Sequence, residues 1–183
     1  MSDARPTPPP SHSPGAGAGG GHAPSAPQRL DARAQALQAI LPEVLRPFSI
    51  ALSVALDEVV ALVPAEQVVE VCRSLRDDPR TRMDFLRCLS VVDYGDILEV
   101  VYHLWSMEKR HKMVVKVRVP ADKPEVPSVT GVWKGADWFE REGRDLYGVV
   151  FIGHPNLAPL LLWEGFPGFP GRKSYPFYDY KEW

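Results

Sequence analysis

Residues 97–120 read ILEVVYHLWSMEKRHKMVVKVRVP. Leu98, Val100, Tyr102 and Leu104 alternate with Glu99, Val101, His103 and Trp105. Met113, Val115, Val117 and Val119 alternate with Val114, Lys116 and Arg118. A period of two puts successive side chains on opposite faces of a strand, so the two runs predict an antiparallel hairpin with one apolar face. The link between them, Glu108, Lys109, Arg110, His111 and Lys112, reads as a solvated tip. His103, placed among strand residues, reads as a structural histidine. An apolar sheet face has to be covered, and the flanking sequence supplies helices for that purpose.

Upstream, Leu30, Ala34, Leu37 and Leu41 share one face of a helix expected from about Leu30 to Leu45, which ends or bends near Pro42. The β-branched content after Asp57 favours a strand to Leu62. Pro64 opens a helix through Arg76, with Val68, Val71, Cys72 and Leu75 as its stripe, and Asp77-Asp78-Pro79 closes it. A short helix is expected over Thr81–Arg87 with Phe85 facing the core. A strand over Leu89–Asp93 and a turn at Tyr94-Gly95-Asp96 follow. Pro124 and Pro127 bar a regular element between Ala121 and Ser128. The fold class expected is α/β (α+β): a small mixed sheet with an antiparallel hairpin, packed by helices.

Residues 1–28 are rich in Pro, Gly, Ala and Ser and cannot bury enough apolar surface to offset their ordering entropy. The organisation expected is a disordered tail over 1–28, an α/β domain over 29–155 and an extended C-terminal docking arm over 156–183. Gly15, Gly17 and Gly20 match G-x-G-x-x-G, but the match sits in low complexity and does not follow a strand, so it is rejected. The chain has 183 residues and a formal net charge of −2, which gives no basic field calling for nucleic acid. Its two cysteines, Cys72 and Cys88, form no C-x-x-C and are read as small core residues. No secretory h-region and no run of about 18 apolar residues is visible. The expected place is therefore the cytoplasm, with membrane association only through partner proteins.

The richest chemistry lies in residues 133–176, WKGADWFEREGRDLYGVVFIGHPNLAPLLLWEGFPGFPGRKSYP. Asp137 and Glu140 have capping-box spacing, which predicts a helix from about Trp138 to Tyr147 that stops at Gly148. Phe139, Gly143 and Leu146 fall on one face, with Gly143 open to a close approach. Glu140–Arg144 and Arg141–Asp145 are i,i+4 pairs. Glu140 and Glu142 point about 200° apart, so they do not converge on one substrate. Bulky aromatics beside this charge are typical of a surface covered by another protein. His154 reads as a loop histidine held by a backbone bond. A stand-alone enzyme using Glu142, Asp145 and His154 is the competing interpretation. The end, Phe177–Trp183, carries four aromatics and suits docking on a partner.

Glu140-Arg141-Glu142, Asp145, Gly148, Phe151, Gly153-His154-Pro155, the leucine run, Arg172-Lys173 and Tyr175-Pro176 resemble one signature. It is that of the 30-kDa (C-type) subunit of proton-pumping NADH:quinone oxidoreductase (respiratory complex I). Val126-Pro127-Ser128-Val129-Thr130, Trp133, Val92-Asp93-Tyr94 and Val101-Tyr102-His103-Leu104 fit as well, so the resemblance covers about 60–176. The chain departs from the pattern at Asp137, where the family usually has Asn. It departs also at Ala158-Pro159, where a charged pair is usual, and at Gly171 and Ser174. The resemblance implies a peripheral-arm subunit on the cytoplasmic side of the cell membrane, needed for assembly of the arm that passes electrons from NADH to quinone. It implies no catalytic residue, cofactor or metal in this chain, with FMN and iron–sulfur clusters carried by partners. The partners implied are the large quinone-site subunit and the cluster-bearing subunits. On this pattern the partner-interface residues are Trp138, Glu140, Arg141, Glu142, Asp145, Gly148, Gly153, His154, Pro155, Arg172, Lys173 and Pro176. The equivalent subunit of a membrane-bound [NiFe] hydrogenase or formate hydrogenlyase is the related alternative.

Overall fold

The structure, a computed structural model, describes residues 30–176. The expected tail over 1–28 and the aromatic end Phe177–Trp183 lie outside the described residues. The elements run α1 (Ala32–Val44), β1 (Ala51–Ala55), β2 (Glu58–Leu62), a 3-10 turn (Ala65–Gln67), α2 (Val68–Asp77), β3 (Phe85–Asp93) and β4 (Ile97–Trp105). After these come β5 (Lys112–Pro120), β6 (Glu125–Pro127), α3 (Ala136–Tyr147) and β7 (Val150–Ile152). The main sheet has the order β1-β2-β5-β4-β3. Only β2 and β5 run parallel in it, so the sheet is mixed. β6 and β7 form a separate parallel pair, so the expectation that Pro124 and Pro127 bar a regular element is corrected: the strand β6 is three residues long, and the prolines flank Val126 and leave its pairing to Phe151 intact.

The hairpin that sets the pattern is β4–β5, in register from Ile97↔Pro120 to Trp105↔Lys112. Its apolar row is the predicted one: Leu98, Val100, Tyr102, Leu104, Met113, Val115 and Val117 are buried with Val59 and Ala61 of β2. Leu37 and Leu41 of α1 and Val68, Val71, Cys72 and Leu75 of α2 join the same core. On the opposite face Val60, Val101 and Val114 make a small separate cluster. Beside it Glu99 is fully buried yet ion-paired, at 2.7 Å from both Lys116 Nζ and Arg118 Nε. Burial pushes that carboxyl up, and the two cations outweigh it and hold it below the usual range.

Three further local expectations are corrected. The segment Thr81–Arg87 does not form a helix. The strand β3 begins at Phe85, and Phe85 is 51% exposed rather than in the core. The expected strand over Leu89–Asp93 is the second half of β3, and the register shift between Leu86 and Cys88 breaks the alternation of its first half. Residues 51–55, to which the sequence pattern assigns no element, form β1, an edge strand joined to β2 by a turn with Leu56 at φ 57°. The capping box of α3 does not form: the N-cap is Gly135, with no side-chain bond. Pro42 lies inside the last turn of α1, two residues before its end.

α3 packs across β3. At Gly143 an added Cβ would sit 3.2 Å from Val91 and 3.3 Å from the Phe151 ring, so the close approach is by side chains rather than backbone. α3 ends as predicted at Gly148, in the left-handed region at φ 73°. The Phe169 ring lies where a Cβ on Gly148 would be, 2.6 Å away. Gly148→Ala is therefore expected to destabilise the chain by roughly 1–3 kcal/mol through backbone strain, plus displacement of Phe169. Thermal denaturation checks this, and an unchanged Tm would contradict it.

Candidate functional site

The carboxylates of α3 are used inside the chain. Asp145 is 7% exposed, and its Oδ2 accepts from three successive amides, those of Leu160, Leu161 and Leu162, at 2.7, 2.8 and 3.2 Å. Burial pushes this carboxyl up; the three amides and the Arg144 charge outweigh it and hold it below the usual carboxylate range. One turn earlier Arg141 donates to the Ala158 and Pro159 carbonyls, at 2.9 and 2.8 Å. The expected pairs Glu140–Arg144 and Arg141–Asp145 are absent among the described residues. Helical spacing makes such partners neighbours, but backbone groups of residues 158–162 bind Arg141 and Asp145, and the Val129 amide binds Glu140.

The rest of the C-terminal segment is fixed by the same means. Arg172 donates to the Tyr147 carbonyl at the end of α3 and to the Ala121 carbonyl, at 2.7 and 2.9 Å. A cation on the free carbonyls of a helix C-terminus is favourable. The Gly171 amide bonds the Leu146 carbonyl at 2.8 Å. The Lys173 amide donates to Asp93 Oδ2 at 2.8 Å, while Asp93 Oδ1 accepts from Gly95 at 2.7 Å. Those two amides, Gly95 first, hold the Asp93 carboxyl below its usual range. Phe169 stands between the guanidinium groups of Arg144 and Arg172, at 5.6 and 5.1 Å.

At the start of α3, Glu140 is fully buried and its Oε1 accepts from the Val129 amide at 2.7 Å. Burial and the neighbouring Asp137 charge raise its carboxyl to about 7, against the pull of Val129 and Ser128. His154 Nδ1 accepts from the Asn156 amide at 3.0 Å, and Nε2 lies 3.3 Å from both the carbonyl and Oδ1 of Asp137. His154 is thus held by backbone groups, as its loop position suggested.

The remaining sequence-singled residues lie outward. Trp138 is 67% exposed, and Glu142 and Pro155 are exposed on the surface. Gly153 has φ 80°, and Lys173 and Pro176 are exposed along the arm. Glu142, Asp145 and His154 do not converge. Glu142 faces a groove with Cys88 and Tyr147, Asp145 is occupied by amides, and His154 by the Asp137–Asn156 contacts. Among the described residues, no group of three or more His, Cys, Asp or Glu is arranged to hold a metal ion. Sequence reasoning placed Asp93 in the signature and before a turn but missed its bond to the Lys173 amide, and it missed Phe169, which carried no signal.

Residues 61–181 match the family described as respiratory-chain NADH dehydrogenase, 30 Kd subunit. The chain belongs to this family. It is 47% identical over 123 residues to the C 2 subunit of NADH-quinone oxidoreductase from Rhizobium etli, a match spanning 66% of the chain and 65% of that relative. It is 43% identical over 143 residues to the corresponding C subunit from Roseiflexus castenholzii, spanning 76% and 80%. A trypsin-resistant fragment (1-134) of Nqo5 superposes with a TM-score of 0.52 at 27% identity, over 66% of this chain and 98% of that one. A chain of an archaeal respiratory membrane complex, the membrane-bound sulfane sulfur reductase, shares the fold with a TM-score of 0.63 at 24% identity, over 76% and 85%. All the interactions that fix residues 156–176 fall within the matched family region.

Replacing Asp145 by Ala leaves three amides without an acceptor, at an expected cost of roughly 2–4 kcal/mol. Protease cleavage within residues 157–170 should then appear before global unfolding. The sign with pH follows from the lowered folded pKa: the stabilisation is present above the unfolded value of about 3.8 and is lost as pH falls through the folded one. The stability gap between wild type and Asp145→Asn should accordingly close in acid, and a gap independent of pH would contradict the assignment.

Proposed function

We propose that this chain is the 30-kDa peripheral-arm subunit of an NADH:quinone oxidoreductase and acts as an assembly and stabilising element. The oxidoreductase chemistry is carried by its partners, which bind FMN and iron–sulfur clusters. The observation that carries this reading is the division of labour around α3. Its Asp145 and Arg141 are consumed in shaping residues 156–176, and Glu140 in holding the Val129 amide, while the shaped segment turns apolar groups outward. Trp163 is 68% exposed and Leu161 59%. Trp163 meets Phe166 edge-on at 4.6 Å, and Phe166 stacks near Tyr175 at 6.3 Å, giving a row of aromatics along the arm. Rigid, pre-ordered aromatics lose little entropy on binding and are favoured interface anchors. No helix among the described residues is long and apolar enough to cross a membrane. A position on the cytoplasmic face, held by the large quinone-site subunit and its cluster-bearing neighbours, fits that reading.

Affinity purification of the full chain from native membranes, with mass spectrometry of the partners, tests it. The expected companions are the other peripheral-arm subunits of an NADH-oxidising complex. A hydrogenase large subunit in place of the NADH-oxidising module would instead establish the [NiFe] hydrogenase alternative. Trp163→Ala and Glu142→Lys should leave the isolated chain folded by circular dichroism. Trp163→Ala should lower partner recovery by roughly tenfold or more if it is an anchor. Undiminished recovery in both variants would contradict the docking role of this surface.

A further inference from the structure

Two buried oxygens near the start of α3 have no hydrogen-bond partner: Asp137 Oδ1 and Glu140 Oε2. Both face His154 Nε2, at 3.3 and 4.0 Å, and the His154 and Glu140 side chains are fully buried. The other ring nitrogen is committed, because the Asn156 amide donates to Nδ1 at 3.0 Å. An acceptor at Nδ1 places the ring hydrogen on Nε2. One N–H then faces two carboxylate oxygens and the Asp137 carbonyl. Buried acceptors with no donor are costly, and two carboxylates one helical turn apart repel.

We propose that Asp137, Glu140 and His154 form a single buried proton site, in which a proton on the Glu140 carboxyl closes the Gly153–Asn156 turn onto the first turn of α3. With Glu140 protonated, its O–H is a second donor in the cluster, and only Asp137 carries charge. Loss of that proton to water leaves two carboxylates around one N–H. The Asp137 side chain, 40% exposed, is the side from which water reaches it. The imidazole cannot accept the displaced proton at Nδ1 without breaking the Asn156 bond, so deprotonation loosens the turn or unseats Glu140. The other titratable groups acting on Glu140 are Cys72 of α2 and Tyr102 of β4. Both are fully buried and held in their neutral forms, so neither supplies a countercharge. The loop before α3 contributes only the Ser128 hydroxyl and the Val129 amide. No lysine or arginine pairs with Glu140 among the described residues.

The sign is opposite to that of Asp145. The folded pKa of Glu140, about 7, lies above its ordinary 4.5. Its contribution is fully present below the ordinary value and is lost as pH rises through the folded one. This tightens a segment that begins at His154 and leads into the arm.

The test is NMR of the full chain, following the His154 ring nitrogens and the Asn156 amide from mildly acid to mildly alkaline pH. The expected result is an Asn156 amide whose shift titrates with a midpoint near 7. That titration should vanish in Glu140→Gln. A titration that persists in Glu140→Gln, or protonation of Nδ1 as pH falls with the Asn156 shift unmoved, would overturn the proposal. Should Glu140→Gln fail to fold, Asp137→Asn serves: removing the neighbouring charge should shift the midpoint down, and an unmoved midpoint would overturn the proposal.

Discussion

Asp145 Oδ2 accepts from three consecutive backbone amides, and the course of the chain beyond β7 depends on that contact. Residues 156–176 form no helix or strand. Ordering each of them costs about 1–2 kcal/mol of backbone entropy, with no ladder of internal hydrogen bonds in return. The compensation comes from outside the segment. A charged acceptor gathers residues 160–162, Arg141 binds the carbonyls just before them, and Arg172 and Asp93 fix the return. Phe169 then closes on Gly148, where the absence of a Cβ leaves room for its ring.

That clamp works because α3 is itself fixed. The β4–β5 hairpin supplies the apolar face, β3 extends the sheet, and α3 lies across β3 through Gly143 against Val91 and Phe151. The helix then distributes its acids by direction. Glu140 turns inward to the Val129 amide, Asp145 turns to the arm, and Glu142 is left for solvent or a partner. Consecutive charged residues that look like one cluster in sequence thus have three separate roles.

Where a residue's neighbour is fixed by its own element, the sequence was readable. The hairpin rows, the stripe of α2 and the Gly148 stop all follow from periodicity or backbone freedom, and all were legible. The family signature was legible for the same reason, being contiguous and ordered. Strand β3 was legible only in its second half, the expected Leu89–Asp93, because the register shift between Leu86 and Cys88 interrupts the alternation of its first half. The ion pairs along α3 were misread because i,i+4 spacing says which groups are close on a helix, not which distant group competes for them. Asp145 looked like half of a surface pair; its partners are fifteen to seventeen residues away and are backbone. The capping box failed likewise, with Glu140 bound to Val129 across the loop.

The side chains of α3 hold this chain's own backbone, and the docking role proposed for the arm rests on the shape they give it. The central claim is that the arm is pre-ordered before any partner arrives. Native-state hydrogen exchange on the isolated full chain at neutral pH tests that most directly. The amides of Leu160, Leu161, Leu162, Gly171 and Lys173 should be protected far above random-coil rates, although none lies in a helix or strand. Exchange of those five amides at random-coil rates, with the β4 amides still protected, would show that the arm is ordered only by its partners and would contradict the account.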